Sequence, residues 1–154
     1  MLKLVLSCLH LKNATGVFLT FLKLYFLSFV IFFIIDLFWL GVIAKDLYHD
    51  QLGFLMADQI KWIPAVLFYL LYLAGLTFFV VLPLTLSGNW MLALLYGGFF
   101  GLICYSTYDL TNYATLKDWP LKIVVIDLVW GSFISAITSF ISCTIASYFR
   151  HFII

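Results

Sequence analysis

Apolar runs of bilayer-spanning length recur along the whole chain. They cover approximately residues 24–44, 62–86, 91–113 and 121–149. About 20 apolar residues in helical form, at ~1.5 Å rise each, cross the ~30 Å hydrocarbon core of a membrane. Backbone in hydrocarbon must satisfy its own hydrogen bonds, so each run is expected to be a helix. The expected fold is all-α: a polytopic membrane protein built as an antiparallel bundle of four transmembrane helices, forming one domain over residues 18–149. The connections fit this. "SGN" at Ser87–Asn89 is a tight turn shortly after Pro83, and "KDWP" ends in Pro120, a residue suited to opening a helix. The long first loop, Lys45–Lys61, places Tyr48, Leu52, Leu55 and Met56 at helical spacing. It reads either as a short amphipathic interfacial helix or as a loosely packed loop.

With 66% of the 154 residues hydrophobic and only 10% charged, almost nothing remains for a soluble domain. Function must then sit in the membrane or at its surface, and the lipid bilayer is the first partner. A net charge of +1 without a basic cluster excludes nucleic acid as a partner. Cys8, Cys104 and Cys143 are odd in number and lie in apolar surroundings, as packing residues do, and His10, His49 and His151 share no ligand spacing. No metal site and no cofactor is therefore assigned. Residues 1–17 read as an N-terminal interfacial extension, since no small-x-small cleavage site follows their short apolar run. Orientation stays open: Lys3, Lys12, Lys23 and Arg150 on one side balance Lys45, Lys61, Lys117 and Lys122 on the other.

Three aspartates interrupt the apolar runs: Asp36, Asp109 and Asp127. Each costs about 2.5–3.5 kcal/mol near the middle of a span, so their presence requires an explanation. Each lies some two helical turns from the same side of the expected bundle, which predicts one convergent polar layer opening to that side. Asp36 and Trp39 have the i, i+3 relation that Asp127 and Trp130 have, so acid and indole share a face on both helices. On the third helix Gly97, Gly101, Tyr105, Asp109 and Tyr113 recur every four residues, with Tyr108 and Asn112 on the adjoining stripe. That stripe is small in one half and polar in the other, as expected for close helix contact leading into a lined cavity. Gly131, Ser135, Ser139, Cys143 and Ser147 make a second small stripe, expected to pack within the bundle or between protomers of a homo-oligomer.

The segments "DLFWLGVIAKDLYHDQLG", "FYLLYLAGLTFFVVLPL", "YSTYDLTNYATLKDWP" and "IDLVWGS" together resemble a widespread bacterial family of small four-helix membrane proteins catalogued as a domain of unknown function. The resemblance runs from about Phe26 into the last helix. It implies a multi-pass protein of the bacterial inner membrane, with Asp36, Trp39, Gly41, Tyr48, Gly53, Tyr69, Gly75, Pro83, Tyr105, Thr107, Tyr108, Asp109, Asn112, Thr115, Trp119, Pro120, Asp127, Trp130 and Gly131 at family motif positions. It supplies no chemistry. No Lys or Arg lies deep in any span, so the aspartate layer is read as a site for a proton, a cation or a small polar or cationic molecule, bound or transported. The alternatives are a membrane-embedded enzyme acting on a lipid or isoprenoid, with Asp109 as acid or base and Asp36 and Asp127 as orienting groups or metal ligands, and an accessory or assembly subunit.

Overall fold

The computed structural model describes residues 14–57 and 59–149, and within them the chain is helical almost throughout. Helix α1 runs Ala14–Phe38 and continues as a π-helical turn over Trp39–Ile43. A short helix α2 (Lys45–Leu52) follows, with a 3-10 turn at Gly53–Leu55. Helix α3 spans Trp62–Ser87 and contains a π-helical turn, Thr77–Val81. Helices α4 (Leu92–Thr115) and α5 (Leu121–Tyr148) complete the chain. The first-loop segment is thus helical over residues 45–55 and not over the rest of its described residues. The expectations for residues 1–13, including Cys8, His10, Lys3 and Lys12, and for Arg150 and His151, lie outside the described residues.

Among the described residues three helices are long and apolar enough to cross a membrane: Ala14–Ile43, Trp62–Ser87 and Leu121–Tyr148. The expected count of four is not reached, because the second half of α4 carries Tyr105, Thr107, Tyr108, Asp109, Thr111 and Asn112 in place of aliphatic residues. Helix α1 begins by Ala14 rather than near Leu24, so Lys23, expected at the edge of a span, lies inside Ala14–Ile43 and departs from the expectation of no Lys or Arg deep in any span; Thr15, Gly16 and Lys23 weaken the apolar run without interrupting helical hydrogen bonding. Bulky apolar side chains cover the outside, with Phe26 69% and Ile63 84% exposed. Such a surface is stable only in contact with apolar surroundings.

Local breaks follow from single residues. Pro83 has no N–H to offer the carbonyl four residues earlier, and α3 widens into its π-helical turn immediately before it. Gly88 ends α3 with φ 73°, a left-handed conformation that glycine adopts without a Cβ clash. Pro120 immediately precedes α5, and its carbonyl accepts the N–H groups of Ile123 and Val124.

The tightest interface joins α4 to α5. A Cβ placed on Gly97 would stand 2.6 Å from Ser139 Oγ and 2.7 Å from the Ser135 carbonyl oxygen, and one on Gly101 would collide with the Gly131 carbonyl. A Cβ on Gly131 would in turn strike the Tyr105 ring. Residue numbers fall on one helix as they rise on the other, so the two run antiparallel. The glycine face of α4 and the small face of α5 therefore close on each other, and neither is left to join a second copy through these positions. The stripe does not hold to its end. A four-residue repeat drifts about 40° per step around a 3.6-residue helix, and Tyr113 and Ser147 emerge exposed.

Helices α1 and α3 close the interior from the other side. Phe32 and Leu24 of α1 meet Leu73, Leu76 and Val81 of α3 in the buried core, with Ile134, Cys143 and Ala146 of α5. Replacing Gly101 by Ala forces α4 and α5 apart and is expected to destabilise the protein by about 1–3 kcal/mol, the usual cost of overpacking. Gly41→Ala, where a Cβ meets nothing within 4 Å, should leave stability unchanged or slightly raised. Thermal unfolding of both variants in the same detergent checks the contrast.

Candidate functional site

The three aspartates turn into the protein, at 4% exposure for Asp36, 0% for Asp109 and 7% for Asp127. They stand six or seven residues from the Ile43, Thr115 and Leu121 ends of their helices, which at ~1.5 Å rise is about 10 Å in from one common end of the structure. The shared depth expected from the sequence is present. The single pocket is not: the carboxylates divide between two adjoining clusters.

The first cluster surrounds Asp36. Tyr69 of α3 donates its hydroxyl to Asp36 Oδ2 at 2.8 Å, and Trp130 of α5 donates its indole N–H to Oδ1 at 3.4 Å. Trp39 stacks on Trp130 with ring centroids 4.2 Å apart and planes 10° from parallel. One carboxylate thus fixes the relative rotation of α1, α3 and α5. The division into two clusters comes from Trp130. It lies one turn from Asp127 on the same helix, yet its N–H is committed across the interface to Asp36.

The second cluster is a cavity of about 310 Å³ lined by Phe68, Cys104, Tyr105, Tyr108, Asp109 and Asp127. Asp127 Oδ1 accepts the hydroxyl of Tyr48 from α2. Both carboxylate oxygens of Asp109 are buried and make no hydrogen bond among the described residues. The indole N–H of Trp119 faces this carboxylate without reaching hydrogen-bond geometry and is likewise buried without a partner. The Tyr108 ring meets Trp119 edge-on, with centroids 5.7 Å apart and planes at 79°, and Asn112 lies half-buried beside Tyr108. Among the described residues no Lys or Arg lines the cavity, which two acids share.

Tyr48 connects the cavity to the surface helix. The π-helical turn at Trp39–Ile43 and the buried Ala44 redirect the chain so that α2 folds back over the end of the bundle. Burial first, then the hydrogen bond to and charge of Asp127, push the Tyr48 phenol above its ordinary range. It therefore remains a donor at neutral pH. The buried indole N–H of Trp39 faces the Tyr48 hydroxyl without reaching hydrogen-bond geometry among the described residues, so the D-L-x-W pairs are used unequally: Trp130 serves Asp36, while Tyr48 takes the corresponding place at Asp127.

All nine sequence candidates, Asp36, Trp39, Tyr69, Tyr105, Tyr108, Asp109, Asn112, Asp127 and Trp130, lie in or beside these clusters. Sequence reasoning left Tyr48, Trp119, Phe68 and Cys104 out of the site. Tyr48 and Trp119 come from connecting segments, and the signal for them was their place among the motif positions that the family resemblance implies. Among the described residues no three His, Cys, Asp or Glu side chains converge as a metal site would require. Asp36, the third carboxylate of the enzyme alternative, lies outside the cavity lining and accepts from Tyr69 and Trp130.

A family model described as a predicted membrane protein, DUF2177, matches residues 21–144, and the chain belongs to this family. No curated protein and no solved structure matches the chain. The match covers both clusters and ends before the last residues of α5.

The Tyr48 hydroxyl is what holds α2 against the cavity. Tyr48→Phe is expected to cost about 1–3 kcal/mol, the range for a hydrogen bond to a charged group whose loss strands a part-buried acceptor. Amide hydrogen exchange should accelerate over Lys45–Leu52 and stay unchanged over α4 and α5. Unaltered exchange in α2 would mean that the hydroxyl does not hold it.

Proposed function

We propose that this membrane protein binds a proton or a small cationic molecule at the Asp109–Asp127 cavity, as a carrier or as the binding step of transport. The observation that carries the reading is Asp109: a fully buried carboxylate with both oxygens unpartnered among the described residues, aimed into a cavity that these residues line with a second acid and no basic side chain. A buried carboxylate without donors or a counter-charge is strongly disfavoured in low dielectric, and a proton or bound cation removes that cost. The aromatic faces of Phe68, Tyr105 and Tyr108 add favourable surroundings for an organic ammonium group. In this reading α4 crosses the membrane as a fourth span, because its polar residues gather around the cavity and close glycine contact carries it along α5. The protein is then an antiparallel four-helix bundle in a bacterial plasma membrane.

Isothermal titration of protein in lipid nanodiscs with methylammonium tests this reading. Saturable binding is expected, weakening as pH falls because protons compete for the same carboxylates. Asp109→Asn, which keeps size and hydrogen-bonding capacity but not the charge, should lower affinity at least ~10-fold, about 1.4 kcal/mol, with thermal stability retained. Asp109→Asn binding methylammonium as tightly as the wild type would remove the cavity from the function.

A further inference from the structure

A file of buried hydroxyl-bearing residues recurs along α5, with partners on α1 and α3, from the aspartate end toward the opposite end of the bundle. Serine and threonine in a helix commonly donate to the carbonyl four residues back, as Thr107, Ser132, Thr144 and Ser147 do here, and as Ser135 does to Gly131 while its oxygen faces the Tyr72 hydroxyl. Thr77, Thr138 and Ser139 do not. Each is 0% exposed, and each hydroxyl lacks a hydrogen-bond partner among the described residues. Along α5, Thr138 and Ser139 fall between two interhelical hydroxyl pairs: Tyr72 with Ser135 at 2.5 Å, nearer the aspartates, and Ser28 with Ser142 at 3.0 Å, farther from them. Positions 135, 138, 139 and 142 share one helix face. Asp127 to Ser142 is about 22 Å of helix at ~1.5 Å per residue, most of a ~30 Å hydrocarbon core.

We propose that this file is a proton path joining the aspartate layer to the far end of the bundle. The inference rests on the cavity reading above, narrows its cargo to the proton and adds a route. A hydroxyl can accept a proton on an oxygen lone pair and pass its own onward, so a proton entering at one end releases one at the other and each hydroxyl is left unchanged. Steps longer than one hydrogen bond require a bridging water. No Asp, Glu, Lys or Arg occurs on α5 between Asp127 and Tyr148, so the carboxylates are the ionisable station and the file beyond them holds no charge. Packing alone accounts for a small residue at Ser139, whose Oγ sits against Gly97. It does not account for hydroxyls at Thr77 and Thr138, where valine has the same shape and no polar atom to bury.

The test is proton uptake into liposomes containing the full chain and an internal pH indicator, driven by a potassium-diffusion potential. Wild-type protein should carry protons well above the rate of empty liposomes. Thr77→Val with Thr138→Val should slow uptake at least tenfold while methylammonium binding at the cavity is unchanged. Thr77→Ser with Thr138→Ser, which keeps the hydroxyls and loses the methyls, should retain uptake. Wild-type uptake no faster than in empty liposomes, or valine variants as fast as wild type, overturns the path. Loss of uptake in the serine variants also overturns it, because the effect then belongs to packing. Methylammonium binding is read separately, so failure of the path and failure of the cavity reading give different results.

Discussion

A carboxylate withdrawn from water into an apolar bundle must meet donors or carry a proton, and this requirement sets much of the arrangement. Its desolvation amounts to several kcal/mol, comparable with the net stability of a small domain. Asp36 meets the requirement with a phenol from α3 and an indole from α5, which fixes how three helices are rotated about their axes. Asp127 meets it in part with a phenol from α2, which brings a surface helix over the end of the bundle. Asp109 makes no hydrogen bond among the described residues, with only the Trp119 indole facing it. The same physics that makes the first two structural leaves the third chemically available.

Close approach of α4 and α5 makes that availability possible. Gly97, Gly101 and Gly131 let backbone meet backbone on one half of the interface. Beyond Tyr105, where large side chains replace glycine, the space opens into the cavity. Packing and pocket are consecutive halves of one helix face, and the residue sizes along α4 set where one becomes the other.

Much of this was legible in the sequence. Apolar run lengths gave the helices α3, α4 and α5 to within a few residues, and counting from their ends placed the aspartates at one depth. Periodicity within a helix also identified the small faces of α4 and α5. What it could not supply is how separate helices rotate against one another. The division of one expected pocket into an Asp36 cluster and an Asp109–Asp127 cavity depends on the Trp130 indole reaching across an interface, which no spacing within α5 reports. Tyr48 and Trp119 were missed as site residues for a related reason: they sit in connections, whose direction is set by a π-helical turn at Trp39–Ile43 and by Asp118 with φ 59°. The fourth span shows the reverse limit. The polar residues that make α4 interesting lower its apolarity below that of the three clear spans.

The central claim is that Asp109 is the carboxylate that changes state when the cavity is used. Infrared difference spectroscopy of the protein in nanodiscs, recorded on adding methylammonium at fixed pH, observes this directly through the carboxyl and carboxylate stretching bands. The account predicts a carboxyl difference signal that disappears in Asp109→Asn and persists in Asp36→Asn. A signal unchanged in Asp109→Asn, or one that disappears only with Asp36, would contradict it.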